Sequence, residues 1–65
     1  MIANDQELAA MRDRLASFER SLEALRAGAR PAEWASLSAG YRLEIERMQG
    51  EVLDYISRPP PGAVA

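Results

Sequence analysis

Six apolar residues, Leu8, Met11, Leu15, Phe18, Leu22 and Leu25, follow one another at alternate intervals of three and four positions. That spacing holds them on one side of an α-helix and is the seam spacing of helices that lie along one another. A half-buried strand would need every second residue apolar, and a helix wetted on all sides would show no stripe. The chain is therefore constrained to pack helices lengthwise.

A second stripe follows, formed by Trp34, Leu37, Tyr41, Ile45, Met48, Val52 and either Tyr55 or Ile56. The ends of both helices carry local signals. Asn4 and Glu7 have the spacing of a capping box, in which the Asn side chain covers a free backbone N–H and Glu reaches back to the cap. Helix 1 is thus predicted over about 5–27, with Gly28 taking the left-handed conformation that often closes a helix. A turn at 28–30 follows. Pro31 suits a first helical turn, where its missing N–H has no helical partner, and Glu33 favours the positive end of the helix dipole, so helix 2 is predicted over about 31–57. The weak stretch is Ser36, Leu37, Ser38, Ala39 and Gly40, because two serines and a glycine lower helix propensity there and invite a kink. Residues 58–65, with Pro59, Pro60, Pro61 and Gly62, cannot continue a helix and are expected to form a flexible tail.

So short a turn sets the helices antiparallel, and the fold class is all-α, an antiparallel two-helix hairpin over residues 1–57. A chain of 65 residues rarely gains more than ~3–5 kcal/mol from one apolar cluster. There is no cysteine and no histidine, which removes disulfides and the usual zinc and iron ligand sets, so neither metal nor cofactor is expected. Self-association is the remaining route. Two hairpins pairing as a homodimer would form a four-helix bundle with the two stripes, closed by Tyr55, as its core.

Charge narrows the function classes. Eight basic and ten acidic residues give a net charge of −2, which argues against holding nucleic acid or an anionic membrane by bulk electrostatics. Arg12, Arg14, Arg20, Arg26 and Arg30 do gather on helix 1 and the turn, but Asp5, Glu7, Asp13, Glu19 and Glu23 are interleaved with them, so intrahelical pairing is expected. A small nucleic-acid-binding regulator using the arginines near the turn is the alternative. No run approaches the ~20 apolar residues of a membrane span, and Met1 to Asp5 lacks the pattern of a signal peptide, so a cytoplasmic protein is the default.

Along helix 2, Glu44, Arg47, Glu51, Asp54 and Arg58 flank the stripe at helical spacing with mixed sign. Paired carboxylates can serve as acid and base or hold a divalent ion. With no His, Cys or Gly-rich phosphate loop beside them, a ladder of surface ion pairs is the expectation, and an enzyme is not. Leu43 and Leu53 fall off the stripe, and Ala9 and Ala16 lie among the small residues on the back of helix 1; these four are the candidate surface for a protein partner.

The opening Met1, Ile2, Asn4, Asp5, Glu7 and Leu8, with the closing run Tyr41, Arg42, Glu44, Ile45, Met48, Glu51, Val52 and Tyr55, resembles short bacterial helical-hairpin proteins. It also resembles the leading hairpin of antitoxins that carry a repressor-type helix-turn-helix domain in toxin–antitoxin operons. The resemblance covers about two thirds of the chain and implies the hairpin, its self-association and a partner protein. Nothing after Tyr55 has the pattern of a helix-turn-helix, so operator binding is not carried over. The expected function is a non-enzymatic interaction and dimerisation module, antitoxin-like or regulatory.

Overall fold

The computed structural model describes residues 1–59. It contains two helices packed against each other, α1 (Asp5–Gly28) and α2 (Pro31–Ile56), and no strand among the described residues. Of the tail expected over 58–65, residues 60–65 lie outside them, while Arg58 is bonded back to α2, its backbone N–H donating to the Tyr55 carbonyl at 3.2 Å.

The start of α1 follows from its cap. Asn4 Oδ1 accepts the Glu7 N–H at 2.8 Å, while Glu7 Oε1 accepts the N–H of Ala3 at 2.9 Å, one residue before the Asn4 N–H that the capping box predicts. Asp5 and Glu7 also place negative charge in the first turn, where the helix dipole favours it. The other end differs from expectation. Gly28 is the last helical residue and does not adopt a left-handed φ; the chain leaves the helix at Ala29, at φ −80° and ψ 146°. Arg30 is extended as well, at φ −74° and ψ 140°, as a proline requires of the residue before it. The connection thus shrinks to Ala29 and Arg30.

α2 runs unbroken through Ser36–Gly40. Propensity is a weak prior against packing, and Trp34 and Tyr41, both half-buried, bracket this stretch and anchor it along α1. Phe18 meets Tyr41 edge-on with ring centroids 6.0 Å apart, a favoured aromatic geometry that joins the middles of the two helices. The helix ends at Ile56, one residue earlier than predicted, with Ser57 as its cap.

The core sits at the open end of the hairpin. Among the described residues only Ile2, Ile45 and Met48 are buried apolar side chains, and Met48 alone is fully enclosed. Ile2 belongs to neither helix: the segment Met1–Asn4 folds back as a strap, and the Met1 ammonium meets Glu51 Oε1 on α2 at 2.7 Å. Toward the turn no such cover exists. There Phe18, Leu22, Leu25, Trp34 and Tyr41 are only half-buried, and Leu37 is 42% exposed.

Candidate interaction surface

The whole apolar stripe of α1, Leu8, Met11, Leu15, Phe18, Leu22 and Leu25, lies along the seam but stays half-buried, as do Trp34, Tyr41, Val52 and Tyr55 on α2. Leu37 departs from the seam. It is exposed at the edge of a shallow hollow that it lines with Phe18, Gly40, Tyr41 and Glu44. The missed residue is Ile2, the most buried side chain after Met48. Its position carried no local signal, because the apolar residue that packs back on a first turn stands directly before the cap, here Ala3, and Ile2 stands one further out.

The four residues expected to meet a partner do not form one patch. Leu43 and Leu53 are 68% and 64% exposed. Ten positions apart on α2, they are separated by about 15 Å along the axis. Leu43 borders a hollow with Trp34, Ala35, Ala39 and Arg42. On α1, Ala9 is exposed whereas Ala16 is half-buried, so Ala16 offers less surface than its place on the back of the helix suggests. Ile56, 51% exposed, adds an apolar spot near Leu8 and Tyr55 at the open end.

The ion-pair ladder on α2 is formed. Arg47 donates from Nη2 to Glu44 at 2.9 Å and from Nη1 to Glu51 at 2.7 Å, and Arg58 reaches Asp54 at 2.7 Å. Arg42 adds a bond to Glu46 at 3.1 Å. The hydrogen bond from Arg47 holds the Glu44 carboxyl below the ordinary range, and the hydrogen bond from the Met1 ammonium does the same to Glu51. Both carboxylates are thereby kept ionised, the reverse of what a general acid requires. Among the described residues no group of three or more His, Cys, Asp or Glu could hold a metal ion, and no helix is long and apolar enough to cross a membrane.

On α1 the expectation of intrahelical pairing fails: none of Arg12, Arg14, Arg20 and Arg26 closes an ion pair among the described residues, the turn's Arg30 alone reaching Glu33 at 4.0 Å. The spacing explains why. No acidic residue stands four positions from any of the four, and Glu23 alone stands three from Arg20 and Arg26. At ~100° per residue Arg14 faces away from Arg12, Arg20 and Arg26, and Glu19 and Glu23 stand among those three, so the side they share is of mixed sign and not a basic stripe.

Comparison with known protein families, curated proteins and solved structures gave no match.

Proposed function

We propose that this chain is a non-enzymatic interaction module whose hairpin pairs with a second copy to complete a four-helix bundle. The observation that carries this reading is the uneven burial of the stripe. The open end is capped by Ile2, while Leu37 is exposed and Trp34, Phe18 and Leu22 are only half-covered. Apolar surface aligned along two parallel axes is most fully removed from water by another helix pair. The exposed Leu43 and Leu53 lie away from the seam and would be the positions left for a partner of another sequence, of the toxin or regulator kind that the antitoxin resemblance implies.

Light scattering after size exclusion at micromolar concentration tests the reading. A mass of two chains with high helicity is the expected result; a cooperatively folded monomer overturns it. Arginines interleaved with carboxylates and a net charge of −2 also lead us to expect no nucleic-acid binding that weakens steeply with salt.

A further inference from the structure

The geometry points to a specific pairing for the self-association proposed above: α2 lies antiparallel to α2 of a second copy on the side that carries Leu37, with the two-fold axis at Gly40. The inference rests on that self-association and adds its face and register. Beside the seam, Glu33, Leu37, Gly40, Glu44, Arg47 and Glu51 follow at alternate steps of four and three, the spacing of a second contact line along α2.

Three observations select this line. The first is the hollow lined by Phe18, Leu37, Gly40 and Tyr41, which joins exposed apolar surface to the seam. Next to it, the strap of Met1–Asn4 ends its cover at Glu51, so the same side is closed at the open end and bare from there to the turn. Gly40 supplies the second observation. A methyl group built on it would meet nothing within 4 Å, as at Gly50, but Gly40 stands in the hollow beside Leu37 and Gly50 does not. There the missing side chain leaves room for the backbone of a second helix.

Charge gives the third observation and fixes the register. With the axis at Gly40, Arg47 falls opposite Glu33 of the copy, Glu51 beside its Arg30, and Glu44 opposite its Ser36. Leu37 falls between Gly40 and Glu44 of the copy, as a knob between two positions of the facing helix. A parallel pairing would set Glu33, Glu44, Arg47 and Glu51 each against itself. Sliding the antiparallel pair one contact step toward the C-terminus sets Glu33 against Glu51, and one step the other way sets Glu33 against Glu44. Of these arrangements the Gly40 register alone is attractive at its charged positions; the antiparallel register that sets Glu44 against Arg47 is attractive as well, but it faces Gly40 with Glu51 and Leu37 with Asp54 of the copy, which leaves the hollow uncovered.

The chain has no cysteine, so single cysteines report the face directly. Gly28, Gly40 and Gly50 all have open space for a side chain, which makes Gly28→Cys, Gly40→Cys and Gly50→Cys comparable variants. With oxidised glutathione as the oxidant, Gly40→Cys is expected to become a disulfide-linked dimer while the other two remain unlinked, since the bond requires Cα atoms within about 7 Å. Charge reversal gives an independent readout: Glu33→Arg should weaken dimerisation about tenfold, and adding Arg47→Glu should recover most of it. A dimeric mass with linkage at Gly50, or with no linkage at Gly40, overturns the face and register while leaving self-association standing. Failure of the double reversal to recover affinity overturns the register. A monomeric mass for the unmodified chain overturns both.

Discussion

The Tyr55 hydroxyl donates a hydrogen bond to Asp5 Oδ1 at 2.7 Å, tying the last turn of α2 to the first residue of α1 across fifty positions of sequence. This bond closes the open end of the hairpin beside the strap. It also makes Asp5 serve twice, since the same carboxylate sits at the positive end of the α1 dipole. Tyr55→Phe removes the bond and little else, so the melting temperature should fall by a few degrees with helicity unchanged. A drop as large as that of a core truncation would show that Tyr55 acts mainly through its ring.

Acid and base should act at the same end by opposite routes. Glu51, held by the Met1 ammonium, and Glu44, held by Arg47, both titrate below the ordinary range in the folded chain. Each therefore contributes stability that is present above about pH 4.3 and is lost as pH falls through the lowered folded value. For Tyr55 the hydrogen bond to Asp5 raises the hydroxyl above its ordinary value, so its contribution is present below about pH 10 and is lost as pH rises through the raised one. Melting temperature plotted against pH should be flat between these limits and fall on both sides. In Glu51→Gln the acid limb should shrink; an unchanged limb would show that other carboxylates carry it.

Ile2→Ala should be the most damaging change outside the helices. Ile2 is 2% exposed and, among the described residues, is one of three buried apolar side chains, with Ile45 and Met48. Removing three carbons from such a site costs ~2–5 kcal/mol when the neighbours cannot collapse into the gap, which rivals the stability available to a chain of this size. Circular dichroism melts would show it. A loss under about 0.5 kcal/mol, the range of ordinary surface changes, would mean that the strap is not part of the core.

The helices were legible because each is written several times over. The stripe, the Asn4 cap and Pro31 all name the same elements, and the structure realises them within a residue at each end. Ile2 was not legible, because periodicity belongs to helices and a single apolar residue ahead of one has no period. Leu37 shows the limit of a stripe read without its partner. Its position on the stripe is correct, but its burial depends on what lies opposite, and one hairpin leaves it 42% exposed. The Gly28 ending misled because glycine permits a left-handed φ without requiring one, and the chain left the helix through an extended Ala29 instead. The α1 arginines were open to a correct reading by counting to the fourth residue, a test that interleaved charges alone do not pass.

Gly50→Ala should stabilise the hairpin. Gly50 is in the interior of α2, with ordinary helical φ and no atom within 4 Å of an added methyl. Alanine is better than glycine there by about 0.5–1 kcal/mol, through the entropy that glycine loses on folding. Urea denaturation would measure the gain. A loss would reveal a close contact on the back of α2 that the single hairpin does not contain.

The last expectation separates the seam from the outer surface through two changes of one kind. Leu22 lies mid-stripe on α1 and is half-buried, whereas Leu53 is 64% exposed on α2. Leu22→Ala removes seam contacts in the hairpin and in any bundle built from it, so it should cost ~1–3 kcal/mol and weaken self-association. Leu53→Ala should change stability by less than about 0.5 kcal/mol, because its side chain is already largely in water. If a protein partner meets the outer face of α2, the same change should weaken that binding alone, since apolar anchors carry much of such an interface. Melts, light scattering and a pull-down on the same two variants give the comparison. Equal destabilisation by both would place Leu53 in the assembled core and take it out of any partner surface.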